Sequence, residues 1–246
     1  MNKNFVAVLS FFSIIVGMTI LWWNFAISQA WLNRIATPDE IALALKNSTK
    51  DINARNYAGW TGLMLAVDLG DLERTKLLLS HKADPNVLSD DLNRNTALHM
   101  LCSKSFMNDN NIKIMKLLLD YGADIHAKDV YGREPLHWIG GIGDPNFRTK
   151  VLDLLMSHGA DLNAVDNNGD VPLSIMIDYL WSRDTDWFKK ALFDKYGSKI
   201  NPNLRNKKGE TPLDYARSRE YIPIIKFLCS TGKWLCTTEE RKGFFQ

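Results

Sequence analysis

Five histidines, three cysteines and 28 Asp and Glu are the residues of this 246-residue chain that could carry acid–base, nucleophilic or metal chemistry. The histidines do not cluster. His81, His99, His126, His137 and His158 form no His-Glu-x-x-His pair, the spacing that puts two imidazoles on one helix face for zinc. There is no Gly-x-Ser-x-Gly turn to expose a nucleophilic serine, and no phosphate-cradling glycine loop followed by lysine. Asp166-Asn-Asn168-Gly169-Asp170 opens like a calcium loop but lacks the glutamate at its twelfth position. Cys102, Cys229 and Cys236 are too few and wrongly spaced for a zinc module or a disulfide scaffold, although an oxidising compartment would allow Cys229 and Cys236 to pair. These residues lead to the expectation of no catalysis, no cofactor, no metal and no small-molecule substrate.

The same residues fall into place once the chain is read for repeats. Asp129-Val-Tyr-Gly132-Arg-Glu-Pro135-Leu136-His137 opens a unit that runs through two apolar-periodic segments and closes on Gly159-Ala160-Asp161-Leu-Asn163. Aligned on the leucine after the turn, the unit recurs at Leu63, Leu98, Leu136, Leu173 and Leu213, with spacings of 35, 38, 37 and 40. A period of this size marks a solenoid, in which each unit buries its apolar face only on its neighbours. Gly59, Gly132, Gly169 and Gly209 each follow an Asp or Asn by three, which suits a turn needing positive φ. Pro135, Pro172 and Pro212 then stand where a first helical turn can spare an N–H. Each unit is therefore predicted to be a turn, a helix, a return helix and a finger. Arg94 takes the glycine place in the second unit, with Asn93 or Asn95 the residues suited to take over its positive φ.

This frame resembles the ankyrin repeat, whose opening Asp-x-x-Gly-x-Thr-Pro-Leu-His and closing Gly-Ala-Asp-x-Asn are matched by residues 129–137 and 159–163. The resemblance covers residues 38–233, about five copies behind a partial amino-terminal cap. It implies an all-α solenoid of helix-turn-helix units with short β-hairpin fingers. It also gives His99 and His137 a structural place, bracing the turn, and puts Cys102 and Cys229 at core positions. Extra residues between the paired helices, at 103–110, 140–147 and 178–187, depart from the family pattern; Tyr179, Trp181 and Trp187 make the third insertion the most suggestive. Pro223 begins a last helix, beyond which Gly232, Trp234 and the charged tail are expected to cap the stack.

Ahead of the repeats, Phe5 to Trp23 is an apolar run with no charge between Lys3 and Arg34. As a helix it would be about 28 Å long, near the ~30 Å hydrocarbon thickness. The expected organisation is an anchor or signal segment at 1–30, the repeats at 38–233 and a tail at 234–246. Lys3 ahead of the run predicts a single pass through residues 5–23, with the amino terminus cytoplasmic and the repeats extracytoplasmic. Ser28-Gln29-Ala30 leaves open a cleaved signal and a secreted product. With 30 Lys and Arg interspersed among the acids, the net charge is +2, which argues against nucleic acid as a partner.

Binding to another protein is what the resemblance implies. Its partners meet the finger tips and the inner face of the first helices, where aromatic and arginine residues supply the most contact area. Those positions nominate Tyr57, Trp60, Tyr131 and Arg133 on the fingers, with Tyr179 and Trp181 from the third insertion. The expected function is a membrane-tethered interaction module, an adaptor, inhibitor or immunity-type binder. A secreted effector acting on host proteins is the competing reading.

Overall fold

The computed structural model describes residues 51–56, 58–180, 185–238 and 240. Within them the chain runs as helix pairs. The first is α1 (Gly62–Leu69) with α2 (Leu72–Ser80), and the second α3 (Ala97–Cys102) with α4 (Asp109–Asp120). A 3-10 helix over Pro135–Gly141 pairs with α5 (Pro145–Ser157). Then α6 (Pro172–Leu180) pairs with a compound segment: α7 (Thr185–Trp187), a π-helical stretch Phe188–Phe193, α8 (Asp194–Tyr196) and a 3-10 turn Gly197–Lys199. The last pair is α9 (Pro212–Ser218) and α10 (Ile222–Ser230). The helical architecture read from the repeats is thus present. The fingers are tight turns and not strands: among the described residues the sole β pairing is an isolated bridge from Arg55 to Thr61.

The five aligned leucines are equivalent. Each is the second residue of a first helix, and each is at most 2% exposed. Helix starts are set by side-chain caps, which satisfy amides that have no partner inside the helix. Thr61, Thr96 and Thr211 accept from the amides of Met64, His99 and Asp214. Second helices use Asp71, Asn108 and Asp144 in the same way. The last two lie in the first two insertions, so those extra residues bring in the cap of the return helix.

Between consecutive fingers the backbones nearly touch. A methyl group on Gly59 would lie 2.8 Å from the Asp90 carbonyl carbon, and one on Gly169 would lie 3.0 Å from Asn206 Cα. On Gly132 it would collide with Asn167 Oδ1 and lie 2.9 Å from the Asn167 nitrogen. Gly209, on the last finger, meets nothing within 4 Å. In the second finger Arg94 itself turns left-handed, at φ 53°, so neither Asn93 nor Asn95 relieves it. The 3-10 helix is also held close to its neighbour, since a methyl on Gly140 would be 3.1 Å from both Met176 Cα and Tyr179 Cβ.

The carboxy-terminal end is closed. Trp234 is 3% exposed, Cys229 and Cys236 form a disulfide, and Arg217 grips Glu240 at 2.7 and 2.8 Å while donating to the Leu235 carbonyl. Cys229 therefore packs in the core and is covalently bonded as well. Cys102 is fully buried and free, and burial pushes its thiol well up from the ordinary value. Trp187 is buried too: its Nε1 donates to Thr149 Oγ1 at 3.0 Å, and the Arg148 guanidinium lies 4.9 Å over its ring.

The expected single-pass membrane localisation needs correction: among the described residues no helix is long and apolar enough to cross a membrane. The apolar run at 5–23 on which that expectation was built, and residues 38–50 of the expected amino-terminal cap, lie outside the described residues.

Two glycine substitutions separate backbone conformation from finger packing. Gly209→Ala is expected to cost about 1 kcal/mol, the strain of a left-handed alanine. Gly132→Ala adds overpacking against Asn167 and is expected to cost about 3 kcal/mol in a urea melt. Equal losses would show that the finger contact carries no weight.

Candidate protein-binding surface

Each finger is a turn closed on itself and tied to the one before. Asp129 shows how one carboxylate organises it: Oδ1 accepts from the amides of Tyr131 and Arg133, and Oδ2 accepts from Trp138 Nε1. Asp166 does the same for the amides of Asn168 and Asp170. The ties between fingers are single backbone hydrogen bonds of 2.7–2.9 Å. They run from the amides of Asp90, Val130, Asn167 and Lys207 to the carbonyls of Gly59, Asn93, Tyr131 and Asn168.

Side chains reinforce these ties. Trp60 Nε1 donates to Asp91 Oδ2 at 2.8 Å, Arg133 Nε to Asp166 Oδ2 at 3.2 Å, and Asn206 Nδ2 to Asp170 Oδ1 at 2.8 Å. Burial works against ionisation of Asp91, but donors from Trp60, Ser89 and two amides outweigh it and hold the carboxyl below its usual range. Burial raises Asp170.

The residues nominated from the sequence are distributed unevenly. Trp60 is half-buried, packs on the core and spends its N–H on the next finger. Tyr131 is 47% exposed at a finger tip. Arg133 lies 5.4 Å from the Tyr131 ring centre and 5.0 Å from that of Trp138, with its Nε on Asp166. Tyr179, 44% exposed, stands over Gly140 and Gly141. Tyr57 and Trp181 lie outside the described residues. Arg133 and Tyr179 are brought together as walls of one cleft of about 590 Å³, between the third to fifth fingers and the first helices of the last two units. Trp60 is not among its walls.

The far wall of that cleft is a linked trio that the nominated residues do not include. Tyr215 OH donates to Asp178 Oδ2, Arg219 Nε pairs with Asp178 Oδ1 at 2.6 Å, and the Arg219 guanidinium sits 3.5 Å over the Tyr215 ring. A signal was present. Asp178 is five residues past Leu173 and Arg219 six past Leu213, and the same offsets pair Asp68 with Lys104 near the other end of the stack.

A buried histidine holds a finger to the neighbouring helix. Thr96 Oγ1 lies 2.8 Å from His99 Nδ1, and His99 Nε2 donates to the Arg133 carbonyl at 2.9 Å, joining the second unit to the third finger. Burial lowers His99 despite that carbonyl, and burial pushes His137 down to about 4. Cys229, Cys236 and Glu240 converge as metal-type ligands. Their sulfurs are joined to each other and Glu240 is held by Arg217, so they offer no ligand set.

Residues 35–129 match a family model described as ankyrin repeats, three copies. A Rickettsia felis protein described as an ankyrin repeat protein is 41% identical over 61 residues, 25% of this chain and 26% of that protein. The B-cell lymphoma 3 protein homolog of Mus musculus is 32% identical over 93 residues, covering 38% and 19%. A Saccharomyces cerevisiae protein described as "Probable 26S proteasome regulatory subunit p28" is 28% identical over 107 residues, covering 42% and 45%. This chain spans less than half the length of each. Residues 35–129 carry ankyrin repeats, and repeats of this kind are protein–protein interaction modules.

The buried imidazoles set an acid limit on stability. Between the ordinary value of 6.5 and about 4, the unfolded chain takes up a proton at His137 that the folded chain refuses. The melting temperature should therefore be highest above pH 6.5 and fall steadily towards pH 4, ahead of any loss from Asp91, which titrates lower. A flat profile across that window would mean the imidazoles are protonated in the folded state.

Proposed function

We propose that the chain binds a protein partner in the cleft of its third to fifth units, with Tyr131, Arg133 and Tyr179 supplying the main contacts and Trp60 supporting the finger row. The observation that carries this is the cleft itself, which joins Arg133, the half-exposed Tyr179 and the Asp178–Arg219–Tyr215 cluster across three units. Aromatic and arginine side chains provide large contact area at little entropic cost, and are the residues on which interface affinity usually concentrates. Most of the lining is charged or polar, whereas small-molecule pockets are mostly apolar. An adaptor or an inhibitor that acts by occupying its partner's surface fits this arrangement, and it needs no reacting group of its own.

The test is capture of the partner on immobilised full-length chain. Tyr179→Ala and Tyr131→Ala should each weaken capture about thirtyfold, equivalent to about 2 kcal/mol, with the melting temperature little changed. Trp60→Ala should instead lower the melting temperature. Capture insensitive to both tyrosines would move the site away from this cleft.

A further inference from the structure

The cleft has hydrogen-bond donors left over, while most of its carboxylate oxygens are engaged. Asp166 receives Arg133 Nε and two amides, Asp178 receives Tyr215 and Arg219 on its two oxygens, and Asp170 receives Asn206. On the cationic side, Arg133 uses only Nε, so both of its terminal nitrogens lack an acceptor among the described residues. Lys207 and Lys208, exposed on the last finger, have no acceptor for their ammonium groups among the described residues either. The rings of Tyr131 and Trp138 flank the Arg133 guanidinium and hold it in place, so little freedom remains to be lost when it binds. The two free ends of a guanidinium match a carboxylate in a two-point fork.

We propose that the occupant of the cleft is an acidic, extended segment of the partner protein, its carboxylates met by Arg133 at one end and by Lys207 and Lys208 at the other. The segment runs along the finger row and sets an apolar or aromatic side chain against Tyr179. This inference rests on the cleft being the protein-binding site. The excess of donors adds what kind of chain fits there, and makes binding strongest at low salt, since the lysines sit at an exposed rim.

Anisotropy titration of the full chain with a fluorescein-labelled peptide of repeated Glu-Tyr-Glu-Gly tests it, with a Lys-Tyr-Lys-Gly peptide and an oligothymidylate as competitors. The acidic peptide should bind and neither competitor should displace it. Lys207→Glu with Lys208→Glu should weaken binding about tenfold or more. The same charge change at Lys113 and Lys116, exposed on α4, should leave it unaltered. Failure of the acidic peptide to bind, equal affinity in both double variants, or displacement by the oligothymidylate would overturn the proposal. If the acidic peptide fails while Tyr179→Ala still abolishes capture of the natural partner, only the acidic character is wrong; if Tyr179 has no effect on capture, the site itself is lost.

Discussion

Finger-on-finger contact is the constraint on which the rest of this molecule depends. A repeat has no fold of its own, because one helix pair cannot bury an apolar face. What converts a string of helix pairs into one body is a fixed register between neighbours. Here that register is set by backbone approaching backbone, with each tie a single hydrogen bond and the approaches at Gly59, Gly132 and Gly169 leaving no room for a Cβ. Once the fingers are in register, a threonine cap in three of the five units starts the next helix, and the leucine two residues after the cap position always enters the core.

A second line of ties runs along the closing turns. Asn53 Oδ1 accepts from the Asp84 amide, Asn86 Oδ1 from Asp124 and Asn163 Oδ1 from Asn201; Asn86 and Asn163 also donate to the Gly122 and Lys199 carbonyls. His126 breaks this ladder and turns to Glu134, which stands where threonine caps other units. Two departures from the repeat frame thus answer each other. Glu134 falls in the unit whose first helix is 3-10, and whose Gly140 and Gly141 let Tyr179 approach.

That substitution shapes the inner face. Ion pairs between neighbouring first helices occur towards both ends, Asp68 with Lys104 and Asp178 with Arg219. At the equivalent offsets in the middle stand Gly141 and Tyr179, and the ring lies over the glycine without a partner charge. A face built this way keeps its carboxylates occupied internally and turns aromatic surface and spare N–H groups outward. The insertion that looked most functional contributes differently from either side: Tyr179 lines the cleft half-exposed, whereas Trp187 is consumed by packing on Thr149 and Arg148.

The sequence by itself determined the repeat, because period, turn glycines, helix-start prolines and aligned leucines are local patterns that report backbone geometry directly. It also located the buried histidines and the tail that covers the last helix. It did not separate Trp60 from Tyr131, two aromatics at finger positions: one spends its N–H on Asp91, the other stands 47% exposed, and only the placement of the next finger tells them apart. The Cys229–Cys236 bond depends on how Trp234 folds back, and the left-handed Arg94 on how the second finger closes. The cleft is a property of no single unit. Its walls come from three repeats more than 30 residues apart in sequence, and their meeting is settled by the helical stacking of neighbours, which no local pattern contains.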